Sequence, residues 1–397
     1  FTQRFGFYGK LREELRGERV LWLHAVSVGE ANLAVQLVEV LRKEFGDWRY
    51  VVSTTTTTGM DVLRSKLPDS ARAIYYPIDW LPFVKSAFRA LKPSAIVLVE
   101  AEIWPNLFWE ANRTKAPLSL VNARLSEKSF EGYCRFGFLF RPLFESLKVV
   151  GVHNEIDADR MEKLGSARET IHVVGNMKFD GVPEAGKSEL NVRTLLDQLK
   201  VPEDAPVLVA GSTFEGEEAL LCELLLRWRE TYPSLFLVLV PRHFERAKAV
   251  MELLDSTRLK IARRSQLESA PENPDVLLVD TTGELNAFYE VATLVFIGKS
   301  LTAQGGQNPI EPATLGKPII FGPFMQNFRE VVASLLDAKG AVQVANEAEL
   351  EDKINELLGD SEHCAALGSA AMSVVEANKG ATQRTAQLVG QTLRALE

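Results

Sequence analysis

The chain is poor in the residues that staple or ligate. Its 397 residues include only three cysteines, Cys134, Cys222 and Cys364, and five histidines. The cysteines are far apart, odd in number and outside any CxxC or Cys/His spacing, which argues against a disulfide framework and against structural zinc. A reducing compartment suits them. No apolar run approaches 18 residues, so no segment reads as a bilayer span. HExxH, GxSxG and Walker motifs are absent. No GxGxxG follows the first strand-like run either, which removes the dinucleotide fingerprint.

What is present is ordinary for a globular protein, with 46% hydrophobic and 25% charged residues. The length suggests two domains, each large enough to bury its own core. The net charge of −8 is uneven: residues 1–180 hold 25 Lys/Arg and 22 Asp/Glu, the remainder 20 and 31. A mildly basic first half suits a phosphorylated or membrane-surface partner, and chance variation between two solvated surfaces explains it equally well.

Short apolar runs alternate with helical patterns. Val20–Val26, Arg49–Ser53, Ala73–Tyr76, Ala95–Glu100, Leu118–Asn122, Leu147–Val152 and Ile171–Val174 read as buried strands. Between them, segments such as Glu30–Phe45 and Pro82–Leu91 repeat apolar residues every three or four positions. A polar stretch with Pro and Gly, Asp180 to Glu189, is the expected linker. A second series follows, with strands at Val207–Ala210, Leu235–Val240, Val276–Val279, Leu294–Ile297 and Ile319–Phe321, then helices from Glu347 to Glu397. This alternation predicts an α/β protein of two doubly wound parallel sheets. Ligands in such sheets bind outside the carboxyl ends of the strands.

Those ends carry polar, small or charged residues. Ser27, Gly29 and Glu30 follow the first strand and open a helix; Glu30 could face a ligand or merely complement the helix dipole. Thr54 and Thr55 belong to a threonine run that could hold phosphate or cap a helix. Glu100 and Glu102 stand two apart after the fourth strand, one able to contact substrate and the other to cap a helix. Asn176 and Lys178 precede the linker, where the lysine could meet phosphate or simply be solvated. In the second half, Gly211, Ser212 and Thr213 end a strand before a helix and form an anion site suited to a nucleotide phosphate. Arg242 and His243 end the next strand, and Arg242 can grip phosphate or carboxylate in bidentate fashion. Gly283 and Glu284 precede another helix. Ser300, Gly305, Gly306 and Asn308 lead to Glu311, one turn into a helix, where it could accept from ribose hydroxyls.

The motifs WLHAVSVGE, STTTTTG, EAEIWPN, NARLS, GNMKFD, AGSTFEGEE, PRHFERA, TTGEL and GGQNPIEPATLGKPIIFGP occur in this order. Together they resemble the 3-deoxy-D-manno-octulosonic acid (Kdo) transferases of lipopolysaccharide assembly, over almost the whole chain. The resemblance implies the GT-B arrangement, two Rossmann-like doubly wound domains facing a central cleft; two domains joined by a linker are expected to close on donor binding. Residues 1–180 would hold the acceptor, a lipid A precursor (a tetraacyl disaccharide bisphosphate), through Ser27, Gly29, Thr54, Thr55, Glu100 and Glu102. Residues 181–397 would hold CMP-Kdo, the last helices packing back on the first domain. Asn176, Lys178, Gly211, Ser212, Thr213, Arg242, His243, Gly283, Glu284, Ser300, Gly305, Gly306, Asn308 and Glu311 would contact the donor.

Glu30 matches the family's catalytic carboxylate and would be the general base of an inverting transfer, with Arg242 and helix N-termini stabilising the departing phosphate. Neither a metal nor another cofactor is implied, and no nucleic-acid polymer. The expected location is the cytoplasmic face of the bacterial inner membrane. The family usually carries an N-terminal hydrophobic anchor, and this chain opens at Phe1 rather than with methionine, so a preceding segment is expected. Aromatic and basic residues from Phe130 to Phe144 could touch membrane or pack in the core. The family often has histidine where Phe214 and Gln307 stand and glycine where Lys299 stands, so details of donor contact depart from the pattern. A GT-B transferase using a UDP-sugar, an isomerase like UDP-N-acetylglucosamine 2-epimerase and a non-catalytic lipid-binding relative are the alternatives.

Overall fold

The computed structural model describes residues 2–100, 103–181, 190–254 and 257–396. The expected linker beyond Gly181, and Glu102, lie outside the described residues. Contacts divide the chain into two units, residues 1–181 with 378–397, and residues 182–377.

In the first unit, β1 (Val20–His24), β2 (Arg49–Thr54), β3 (Ala71–Tyr75), β4 (Ala95–Val99), β5 (Leu118–Ala123), β6 (Leu147–Val152) and β7 (Ile171–Val173) form one sheet in the order β3-β2-β1-β4-β5-β6-β7. Every pairing is parallel. All five residues of β1 and of β4 are buried, as a sheet covered on both faces requires. The order reverses between β1 and β4, which opens a crevice at their carboxyl ends.

His24 closes β1 without contact to solvent. Its Nδ1 lies 2.9 Å from Ser53 Oγ, which also accepts from Trp22 Nε1 at 2.8 Å. The ring stacks on Tyr76 at 4.1 Å. Burial pushes its pKa down to about 3, so the imidazole stays neutral.

The second unit repeats the plan. β8 (Val207–Thr213), β9 (Phe236–Pro241), β10 (Ile261–Arg263), β11 (Val276–Leu278), β12 (Leu294–Ile297), β13 (Ile319–Phe321) and β14 (Val342–Gln343) run in the order β10-β11-β9-β8-β12-β13-β14, again all parallel. β10 and β14 were not expected from the sequence; each is a two- or three-residue edge strand without an apolar run of its own. The reversal falls between β8 and β12. There the chains touch: Gly298 N–H donates to Gly211 O at 2.8 Å, and a Cβ on Gly298 would stand 2.4 Å from Ser212 O. Only glycine fits.

The chain then returns to the first unit. The helix Ser361–Asn378 belongs to the second unit as far as Ala377, whereas the last helix, Ala381–Arg394, packs on the helix Val28–Glu44 with Ala386, Val389 and Leu393 buried. Asp180 caps it: its two carboxylate oxygens accept from Gly380 N at 2.7 Å and Thr382 N at 2.6 Å. Arg384 donates to Val174 O at 2.9 Å from the same end.

Asp180→Ala leaves two N–H groups at that helix start without acceptors and should cost about 1–2 kcal/mol. Amide exchange along Ala381–Arg394 should accelerate, and Asp180→Asn, with one acceptor oxygen in place of two, should restore only part of the protection. Exchange unchanged in the alanine variant would show that the cap contributes nothing. His24 gives a pH prediction. Its folded pKa lies below the ordinary 6.5, so its contribution is complete above that pH and is lost as pH falls toward 3. His24→Asn keeps a polar partner for Ser53 but does not titrate. Between pH 7 and 4 the urea midpoint of the unchanged protein should fall more steeply than that of His24→Asn, and parallel curves would contradict the assignment.

Candidate active site

Ser27 takes an extended backbone and caps the helix Val28–Glu44. Its Oγ accepts from Glu30 N at 3.2 Å; in return Glu30 Oε1 accepts from Ser27 N at 3.3 Å and Oε2 from Val26 N at 2.7 Å. This is a capping box, with Glu30 5% exposed. The carboxylate therefore serves the helix start, and two backbone donors use about half of its roughly four acceptor positions. Gly29 is exposed, and a Cβ there would meet only Ser27 Oγ, at 3.7 Å. Ser27 and Gly29 thus form an exposed lip at the end of β1, with Glu30 buried next to them in sequence.

The threonine run behaves differently. Thr54 is fully buried and donates to Val26 O at 3.0 Å; Thr56 donates to the same oxygen and caps the next helix through Gly59 N at 3.0 Å. Thr55 is half-buried, its carbonyl accepting from Arg4 at 2.6 Å. The hydroxyls of Thr54 and Thr56 hold the β1 and β2 loops together and do not point outward.

Glu100 adopts a left-handed φ of 62° at the end of β4, and its carboxylate pairs with Lys178 Nζ at 2.8 Å. The sequence reading had divided these two between acceptor and donor; the structure joins them within one unit. Asn176, expected on the donor, is buried: its N–H donates to Asn378 Oδ1 at 2.7 Å and its Oδ1 accepts from Lys178 N at 2.9 Å. Trp104 and Tyr76, which the sequence reading missed, stand 5.2 Å apart beside His24. A tryptophan inside EAEIWPN was the available signal.

In the second unit the end of β8 is held by acids. Glu217, wholly buried, accepts from Phe214 N at 2.9 Å, Lys299 N at 2.7 Å, Ser300 N at 3.0 Å and Leu301 N at 3.1 Å. Burial pushes its pKa up, against the pull of these four donors. Glu218, also buried, accepts from Thr213 Oγ1 at 3.0 Å and pairs with Arg246 at 2.8 Å. Neither glutamate was singled out from sequence, although both sit in AGSTFEGEE. Ser212 is half-buried with φ 54°, and Gly211 packs against Tyr289.

Arg242 and His243 are exposed beyond β9. Glu311 is held up in pKa by burial and drawn back by Asn308, whose Nδ2 donates at 3.1 Å, and by the charge of Arg242. Gly305 and Gly306 both have positive φ, and a Cβ on Gly306 would strike Met325 Sδ at 2.4 Å. At this edge of the sheet Arg242 is exposed, Glu311 is half-buried and the turn Gly305–Gly306 is buried. Ser300 does not join them: it is buried, donating to Ile297 O at 2.5 Å and accepting from Gly322 N at 2.9 Å. Glu284 is engaged by Arg264 at 2.8 Å and by Thr281, while Gly283 is exposed with φ 82°. Among the described residues no three His, Cys, Asp or Glu side chains are grouped to hold a metal, and no helix is long and apolar enough to cross a membrane.

A family profile described as 3-Deoxy-D-manno-octulosonic-acid transferase (kdotransferase) matches residues 1–181. The 3-deoxy-D-manno-octulosonic acid transferase of Haemophilus influenzae is 32% identical over 392 residues, 98% of this chain and 90% of that one. The enzyme of the same name from Chlamydia trachomatis serovar A is 27% identical over 394 residues, again 98% and 90%. Among solved structures, the UDP-GlcNAc 2-epimerase from Neisseria meningitidis bound to UDP-GlcNAc is 14% identical with a TM-score of 0.56, covering 94% of this chain and all of that one (100%). A glycosyltransferase from Rickettsia africae is 11% identical with a TM-score of 0.53, covering 95% and 99%. At such identities the likeness shows the fold alone, two Rossmann-like units of GT-B type. That fold is shared by an isomerase and a transferase, so it does not choose between them. The relatives aligned along nearly the full chain do: the chain is an enzyme of the 3-deoxy-D-manno-octulosonic acid (Kdo) transferase family of glycosyltransferases.

Proposed function

We propose that the chain moves Kdo from CMP-Kdo to a lipid A precursor, with the acceptor on the first unit, the donor on the second and Glu30 as general base. The observation that carries this reading is the state of Glu30. Two backbone N–H groups fix its carboxylate and leave about half of its acceptor capacity unused, and its sequence neighbours Ser27 and Gly29 are exposed. Glu217, its counterpart in the second unit, has four donors and no such capacity.

In this mechanism an acceptor hydroxyl gives its proton to Glu30 as its oxygen bonds to the anomeric carbon of Kdo. The bond from that carbon to the CMP phosphate oxygen breaks, and CMP leaves with the electron pair. Attack opposite the leaving group inverts configuration. Arg242 balances the charge that grows on the phosphate, and Glu311, in the helix that follows Gly305 and Gly306, accepts from the ribose hydroxyls. The reading invokes no metal.

The surface of the first unit suits a lipid acceptor. The helices Glu127–Arg135 and Gly137–Glu145 expose Phe136 (51%) and Phe138 (85%) next to Arg135, while Phe144 is buried in the core. Part of the aromatic stretch packs and part faces outward, an arrangement fit for the cytoplasmic surface of the inner membrane.

The test runs the protein and Glu30→Gln side by side with labelled CMP-Kdo generated in place and a tetraacyl lipid A precursor. Glu30→Gln keeps one acceptor oxygen for the helix start and sets its NH2 against the other donor, so its melting temperature should fall by a few degrees, while transfer measured well below it should fall about 10²–10⁴-fold. Equal labelling by both proteins would leave the transfer intact and remove Glu30 as base. No labelling by either, or turnover of a UDP-sugar without acceptor, would replace the functional reading.

A further inference from the structure

Lys299 follows β12 at the strand reversal of the second unit. Its backbone is left-handed, with φ 55°, a conformation that glycine adopts freely and lysine at a cost. The backbone is held there from both sides: Lys299 N donates to Glu217 at 2.7 Å, and Lys299 O accepts from Gly306 N at 2.8 Å. Neither bond needs the lysine side chain.

That side chain runs beside Gly305, with Cε 3.7 Å from where a Cβ on Gly305 would sit, and places its ammonium 5.0 Å from the centre of the Phe214 ring. It forms no ion pair with a described residue, and it is half-exposed. Arg246 also approaches the Phe214 ring, at 5.7 Å, but its charge is committed to Glu218 at 2.8 Å. Arg242 joins the same edge, because its N–H donates to Thr213 O at 3.0 Å, next to Phe214. An aromatic face holds an ammonium weakly and keeps its N–H groups available. The acidic second unit, with 30 Asp/Glu against 17 Lys/Arg in residues 182–377, presents two cations that form no salt bridge with a described residue, Arg242 and Lys299, at the carboxyl ends of β9 and β12.

We infer that Lys299, seated on Phe214, is a second cation of the donor site and binds an anionic group of the nucleotide sugar. This deepens the proposed function and rests on it. Two groups of CMP-Kdo share the required chemistry, the phosphate and the sugar carboxylate.

Calorimetry with CMP and with cytidine, and the KM for CMP-Kdo, separate them. Lys299→Gly suits the left-handed backbone and Lys299→Gln keeps the stem without the charge, so a folded, uncharged variant is available. If Lys299 holds the phosphate, both variants should bind CMP about tenfold more weakly, with cytidine unaffected and a shallower dependence on salt. If it holds the carboxylate, CMP binding should be unchanged and the KM for CMP-Kdo should rise about tenfold. Lys299→Arg should recover most of either loss. Variants that match the unchanged protein in CMP affinity and KM, or that lose cytidine as much as CMP, overturn the inference. Failure of the unchanged protein to bind CMP refutes the donor reading itself, and the inference with it.

Discussion

The second unit depends on one buried carboxylate. Glu217 has no cation within reach of a salt bridge among the described residues, so its charge is met by four backbone N–H groups from two separate loops. Each donor would otherwise be a buried, unpaired group costing about 1–3 kcal/mol. Satisfying all four fixes the loop after β12 against the loop after β8 and leaves little freedom in between. Gly298 must be glycine because the chains then approach to van der Waals distance, and Lys299 must turn left-handed to deliver its N–H. The ammonium of Lys299 lands over Phe214 as a consequence of where that carboxylate sits.

The first unit solves the same problem with less. Glu30 also stands in the first turn of the helix after the first strand, and it also folds back on the strand end. Its donors come from its own loop alone, and the loop after β4 is held elsewhere, by Glu100 and Lys178. Both units place left-handed residues at the ends of central strands, Glu100 and Asn122 in one, Ser212 and Lys299 in the other. Such backbone persists where neighbours over-determine it, and it clusters where a sheet must present groups to a ligand. The two carboxylates therefore differ in saturation, with two backbone donors on Glu30 and four on Glu217.

Much of this was legible in the sequence. Leu147–Val152, Leu294–Ile297 and Ile319–Phe321 were delimited to the residue, because buried parallel strands are continuous apolar runs bounded by polar loops. β10 and β14 left no such run, since their stability comes from one neighbour each at a sheet edge. At the strand ends, Glu30, Arg242 and Glu311 stand out as candidates by position, and the role expected of Glu30 comes from the family resemblance. Thr54, Ser300 and Asn176 could be named too, but not the direction of their side chains. That direction is set by partners far along the chain for two of them, Val26 for Thr54 and Gly322 for Ser300, and by the N–H of Lys178 for Asn176. Glu217 and Glu218 read as an unremarkable acidic helix start for the same reason.

The segment Gly175–Asp180 shows how far such a long-range partner can reach. Together with Val174 it meets the returning chain at three points. Asn176 N–H meets Asn378, Asp180 caps the final helix, and Arg384 closes on Val174 just before it. Met177 N–H meets Asn122 Oδ1 at 2.8 Å, on a strand whose ladder shifts register at that point. Between these anchors stands Lys178, whose ammonium holds Glu100. The orientation of an acid at the end of β4 is thus set by the docking of a helix more than 270 residues later. Loosening that helix should therefore disturb Glu100 before it disturbs Glu30, because the capping box of Glu30 is closed by Val26 and Ser27, its own neighbours in sequence.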